Sequence, residues 1–224
     1  AGESVVMLDS GEALGAVGSG ATAAAVVGSP NGNSGTGCVD VYIWGEDPST
    51  VITSAVYADK FNVYGSQYTA YGPPSPLLLN DTWQRVGTTI TPPSDSYGLG
   101  NSEFGYSIAA SGDGTRIAIG APGIPGTYPY DGDGRYGGSV YIYDWDSSTS
   151  AWVLDTRIVS PNTSGYNKNG NGTNGRFGHS VSMSSDGNRV VVGVPHYGTS
   201  SSGLTTTGRV HVYERDTNNW TEMD

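Results

Sequence analysis

Apolar residues recur at every second position along much of this chain. Ile117 and Ile119, then Val190 and Val192 further on, occupy every second position, and this period of two is that of a β-strand. In the segment after Gly138, Val140 and Ile142 project to one side and Tyr141 and Tyr143 to the other. Both sides are apolar, so the predicted strand needs cover on both faces. Ala21 to Val27 is apolar, carries β-branched residues and stops at Gly28-Ser29-Pro30, which reads as another strand. No segment has the spacing of a long amphipathic helix. Turn residues punctuate the strands: Asp113-Gly114 and Asp186-Gly187 are expected to supply the positive-φ residues of tight hairpins. Gly120 and Gly193 stand just before Pro122 and Pro195, which end a ladder and redirect the chain. The fold class is all-β.

The strands belong to a repeat. Residues 104–122 read Phe-Gly-Tyr-Ser-Ile-Ala-Ala-Ser-Gly-Asp-Gly-Thr-Arg-Ile-Ala-Ile-Gly-Ala-Pro and align without a gap on residues 177–195, 73 positions later. A weaker copy spans residues 12–30, with Ser19, Gly28 and Pro30 at the places of Ser111, Gly120 and Pro122. Each copy is followed by a further strand, at Gly37 to Tyr42, Gly138 to Tyr143 and Gly208 to Tyr213. A tryptophan segment then supplies the fourth strand, from Trp83 to Ile90, from Trp152 to Ile158, and from Trp220 onward. Four short strands per unit are expected. Ser4 to Leu8 reads as a strand left over from a preceding unit.

Phe104-Gly105 with Gly120-Ala121-Pro122 resembles the FG-GAP signature of the integrin α-subunit repeat. Phe177-Gly178 with Gly193-Val194-Pro195 is a close variant, and the first unit has Glu12-Ala13 where Phe-Gly is expected. The resemblance implies a β-propeller, here a partial one of about three four-stranded blades, whose complete ring typically has about seven. On this reading residues 1–92 form a first blade carrying a Tyr-rich insert at 45–82. Residues 93–161 form a second blade, and residues 162–224 a third with an incomplete outer strand. An unpaired blade edge is a template for association, so the expected partners are other copies or further blades of the same protein.

Composition narrows the function. The 224 residues include 35 Gly and 12 Pro, and only 14% are charged, which suits short strands and many turns. The net charge of −11 repels phosphate backbones and argues against a nucleic-acid partner. No run is long and apolar enough to predict a membrane span. Sequons at Asn80, Asn162, Asn171 and Asn219 mark candidate glycosylation sites and point to an extracellular or cell-surface location. Cys38, the single cysteine, is read either as a semi-buried free thiol or as half of an intermolecular disulfide.

Candidate chemistry is sparse. The Asp113 and Asp186 loops each carry one carboxylate and are too short to wrap a cation, so the calcium loop of integrin-type repeats is not carried over to them. Asp131 and Asp133, with Asp144 or Asp146 as neighbours, are the calcium candidate; no other cofactor is expected. His179, His196 and His211 form no recognisable catalytic pattern, and no nucleophile elbow or phosphate loop occurs. No catalytic residue is assigned, and the chain is read as a non-enzyme. Tyr128, Tyr130 and Tyr136, and Tyr57, Tyr64, Tyr68 and Tyr71 of the insert, are candidate contacts for a protein or glycan. The expected role is a structural or adhesive module of an extracellular, glycosylated surface assembly or filament. The alternative is an integrin- or lectin-like ligand-binding propeller.

Overall fold

A computed structural model describes residues 4–9, 21–31, 36–46, 81–93, 102–123, 137–161, 175–195, 208–217 and 219–223. Among the described residues twelve strands make three four-stranded antiparallel sheets, and there is no helix. The first sheet is β1 (Ser4–Asp9), β2 (Ala21–Ser29), β3 (Cys38–Glu46) and β4 (Asp81–Arg85). The second is β5 (Ser107–Ala110), β6 (Arg116–Ala121), β7 (Ser139–Asp146) and β8 (Ala151–Val159). The third is β9 (Ser180–Met183), β10 (Arg189–Val194), β11 (Arg209–Asp216) and β12 (Asn219–Glu222). Each sheet is a meander in which every strand pairs with its sequence neighbours.

The register corrects one expectation. Ser4 pairs with Gly28 just as Ser107 pairs with Gly120 and Ser180 with Gly193. Ser4–Asp9 is therefore the first strand of the first sheet and not a remnant of another unit. The chain from β1 to β2 is longer than its counterparts, and a gapless alignment across that difference matched Glu12-Ala13 to Phe104-Gly105. Anchored on Ser4, the sequence aligns Gly2-Glu3-Ser4 with Gly105-Tyr106-Ser107.

The Asp-Gly turns differ from the tight hairpins expected. Ser111 N–H donates to the Arg116 carbonyl at 2.9 Å, and Ser184 N–H to the Arg189 carbonyl at 3.0 Å, so each loop is wider than two residues. Only the glycine takes a left-handed conformation, Gly114 at φ 68° and Gly187 at φ 69°. Asp113 instead accepts from the Ser111 hydroxyl (2.6 Å) and the Thr115 N–H (3.0 Å). Asp186 does the same with Ser184 (2.5 Å) and Asn188 (3.0 Å). These are Asx-type turn bonds.

Alternation distributes the core into two layers. Ile108, Ile117, Ile119, Tyr141 and Tyr143 face the first sheet, where they meet Val26, Val39, Val41, Val86 and Ile90. Ala109, Ala118, Val140, Ile142 and Ile158 face the third sheet and meet Phe177, Val190, Val192, Val194 and Tyr213. The inner three strands of the middle sheet are covered on both faces, as the apolar pattern of its third strand requires, while its fourth strand β8 exposes Val153 and Leu154. The sheets approach one another along their first strands, β1 beside β5 and β5 beside β9.

Candidate functional site

The two sheet-to-sheet joints are built from the same repeat positions. In each, a Phe-Gly turn of the later sheet plugs into the earlier one. Phe104 and Phe177 are both fully buried. Each ring is backed by tyrosines of its own sheet, Phe104 edge-on to Tyr141 and Tyr143 at 5.4 and 6.4 Å and Phe177 edge-on to Tyr213 at 6.1 Å, a favourable arrangement for aromatic quadrupoles, and shares a core with valines and isoleucines of the earlier sheet.

The backbone around each plug is locked by a serine and two glycines. Ser4 Oγ donates to the Gly105 carbonyl and Ser107 Oγ to the Gly178 carbonyl, both at 2.8 Å. The carbonyl that accepts this bond also sits where a side chain on Gly28 or Gly120 would be, so a Cβ there would overlap it. Gly37 (φ 84°) and Gly138 (φ 82°) lie against the main chain of Phe104 and Phe177, and a parallel bridge joins each pair. Close approach and left-handed geometry together require glycine at Gly37 and Gly138.

Polar contacts complete the second joint. Arg116 makes a two-pronged pair with Asp144, Nε to Oδ1 at 2.6 Å and Nη2 to Oδ2 at 2.8 Å, while Nη1 donates to the Gly187 carbonyl of the third sheet at 2.9 Å. Gly112 N–H donates to the Ser185 carbonyl, also across the joint, at 2.8 Å. Trp220 Nε1 donates to Asp155 (3.0 Å), and Arg215 lies 3.4 Å from the same carboxylate. At the Phe-Gly end, the Tyr106 ring lies against His179, tilted by 50° with ring centroids 4.9 Å apart, and its hydroxyl is 3.2 Å from Nε2. Arg176 lies over the Tyr106 ring and pairs with Glu103 at 2.6 Å. Glu103 and Arg176 occupy equivalent repeat positions, and both are left-handed, φ 54° and 57°.

The third sheet carries these features on its outer face. Ser180, Arg189, Gly193 and Gly208 stand where Ser107, Arg116, Gly120 and Gly138 stand in the second sheet. Arg189 pairs with Glu214 (2.6 and 3.0 Å) as Arg116 does with Asp144. Between them lie Val191 and Val210, 38% and 63% exposed, whereas their counterparts Ala118 and Val140 are fully buried. The outer face of the first sheet is different. It exposes Val5 and Met7 but carries Asp40 where the second sheet has the buried Tyr141.

The residues singled out from sequence are placed as follows. Cys38 opens β3 as a half-buried free thiol; burial, and then the nearby Asp40 carboxylate, push its pKa above the ordinary thiol range. Asn219 opens β12 and is exposed. Asn80, Asn162, Asn171, Asp131, Asp133, His196 and all seven candidate tyrosines (Tyr57, Tyr64, Tyr68, Tyr71, Tyr128, Tyr130, Tyr136) lie outside the described residues. The two carboxylates considered as calcium neighbours are engaged elsewhere: Asp144 holds Arg116, and Asp146 accepts from Ser148 and Thr149 at its own turn. Those bonds, led by the Ser148 hydroxyl, hold the Asp146 pKa down at about 2. Among the described residues no group of three His, Cys, Asp or Glu side chains is arranged to hold a metal. His179 lies in the turn entering β9. His211 is buried on β11 and its Nδ1–H donates to Glu222 at 2.6 Å. Sequence reasoning missed Ser180, Gly193, Gly208, Val191 and Val210 as surface features; the signal lay in the gapless repeat for Ser180, Val191 and Gly193 and in the following strand motif for Gly208 and Val210, because each matches a residue that is buried or bonded one unit earlier.

No protein-family model matches the chain, and comparison with curated proteins gives no match. No helix among the described residues is long and apolar enough to cross a membrane.

Proposed function

We propose that this chain is a structural or adhesive module of an extracellular, glycosylated surface assembly or filament, acting by stacking and not by catalysis. On this reading its sheets are blades of a β-propeller of the FG-GAP, integrin α-like kind, and its partners are further blades or other copies of the protein. The observation that carries the reading is the recurrence of one joint. The same serine, glycine and Phe-Gly set joins successive sheets, and the last sheet presents an exposed apolar form of the face that is buried one sheet earlier. Such a face favours association.

The test is to express the chain in a secretory host and examine the purified protein by glycosidase-dependent mass shift and negative-stain electron microscopy. Glycosylated, multimeric particles are expected. Unglycosylated, strictly isolated monomers over a wide concentration range would refute the reading.

A further inference from the structure

We infer that the outer face of the third sheet is a docking site for a Phe-Gly-X-Ser strand that leads a further four-stranded sheet of the same repeat type. The inference rests on the stacking reading above and names the partner and the surface. Three features select this occupant. Ser180 and Gly193 reproduce the pair that, in the second sheet, grips the Gly178 carbonyl: Ser107 donates to it, and Gly120 leaves no Cβ to collide with it. A Cβ added at Gly193 would overlap the hydroxyl of its cross-strand partner Ser180 but meet no other sheet, and one at Gly208 (φ 67°) would meet nothing closer than Pro195 O at 3.5 Å. Among the described residues the joint is thus preformed and unfilled. Third, Arg189 is held by Glu214 through Nε and Nη2 only. In Arg116 the remaining nitrogen, Nη1, is the one that reaches across to the next sheet's glycine turn.

A second copy of these three sheets is a poor occupant. Its Phe104 and Phe177 are fully buried in its own joints, so neither is available to plug another surface. Its first sheet offers Ala1-Gly2-Glu3-Ser4 in place of Phe-Gly-X-Ser and sets the acidic Asp40 where Tyr141 and His211 are buried in the other two sheets. An aromatic plug followed by glycine fits a surface bordered by Val191, Val210 and Val212; a small residue and a carboxylate do not.

The probe is a synthetic peptide spanning residues 175–184, Gly-Arg-Phe-Gly-His-Ser-Val-Ser-Met-Ser, titrated into the isotope-labelled 224-residue chain and followed by methyl NMR. Saturable shifts of the Val191 and Val210 methyls are expected, with Ala118 and Ile142 unmoved. Replacing the peptide's phenylalanine by alanine is expected to weaken binding at least about tenfold, which corresponds to about 1.4 kcal/mol. In the protein, Gly193→Ala is expected to do the same. Val210→Lys, at a position 63% exposed and so harmless to the fold, provides a second block, and Val5→Lys on the first sheet leaves binding unchanged. Absence of saturable binding up to about 1 mM, or binding indifferent to Val210→Lys, overturns the inference. Self-association that competes with the peptide and is lost in Val5→Lys assigns the face to a second copy and also overturns it. In that last case the stacking reading survives. It fails separately, if the chain never associates or is never glycosylated.

Discussion

Gly138 and Gly208 occupy the same repeat position, and replacing each by alanine separates two effects that usually arrive together. Both are left-handed, φ 82° and 67°, so both substitutions cost about 1–2 kcal/mol of backbone strain. Their surroundings differ. A Cβ on Gly138 would overlap the main chain of Phe177, while one on Gly208 finds its nearest neighbour at 3.5 Å. Backbone cannot yield as a side-chain tip can, so Gly138→Ala must push the Phe177 turn out of its joint. The upper limit of that loss is the cost of deleting a buried phenylalanine, about 3–5 kcal/mol. With partial relaxation, Gly138→Ala is expected to destabilise the protein by about 2–4 kcal/mol more than Gly208→Ala. Urea unfolding followed by tyrosine and tryptophan fluorescence measures the difference. Amide hydrogen exchange in β10 shows whether the third sheet loosens before the rest, as a local opening would require. If the two variants agree within about 0.5 kcal/mol, the turn is not clamped between sheets and the joint is not what holds them.

Further expectations follow from individual side chains. Phe177→Ala empties a fully buried site and should cost about 3–5 kcal/mol in denaturant unfolding; a cost near that of a surface change would contradict its role as a plug. Burial and Asp40 raise the Cys38 pKa, so at pH 8 iodoacetamide should alkylate the native thiol more slowly than the unfolded one. Asp40→Asn should recover part of the rate, and an unchanged rate would count against the electrostatic contribution. The Asp146 carboxyl, held at about 2 against an ordinary 3.8, favours the folded state when ionised. Its contribution is complete above pH 3.8 and disappears as pH falls through about 2. A carboxyl NMR titration should show this low midpoint and its upward move in Ser148→Ala, and a midpoint near 4 in the native protein would refute the assignment. In a secretory host, Asn219→Gln should remove the mass of one N-glycan, since Asn219 is exposed at the start of β12; an unchanged mass would leave that sequon unoccupied.

Most of the strand layout could be read from the chain because residues 104–122 align without a gap on 177–195 and the same strand motif follows each copy. Alternation in Val140 to Tyr143 revealed a sheet needing cover on both faces, and the structure supplies it from two neighbouring sheets. β1 was misassigned for a physical reason. Its period of two is clear, but no local feature says whether a strand begins one sheet or ends another; only the Ser4–Gly28 pairing does. The Asp-Gly dipeptides suggested tight hairpins, yet the serine two residues earlier turns the aspartate into a hydrogen-bond acceptor and widens the loop. The segment from Trp83 to Ile90 is not one strand. β4 stops at Arg85, Gly87 takes φ 73°, and Ile90 returns to pair with Val39.

The candidate surface was hidden more deeply. Aromatic and acidic loops are the conspicuous candidates in the sequence, because loops commonly bear function. The surface favoured by the structure lies on a strand face made of serine, glycine and valine. None of these residues is conspicuous alone. Val191 and Val210 gain meaning only beside Ala118 and Val140, which occupy the same places under a neighbouring sheet.

The central claim, that successive sheets are held face to face by their Phe-Gly turns, is tested most directly by amide hydrogen exchange at two N–H groups whose acceptors lie in another sheet. Phe177 N–H donates to the Gly137 carbonyl at 3.1 Å and Gly112 N–H to the Ser185 carbonyl at 2.8 Å. Both should exchange as slowly as the interior amides of β6. Exchange near the unprotected rate at these two positions, while β6 and β10 stay protected, would mean that the sheets form but do not lie against each other.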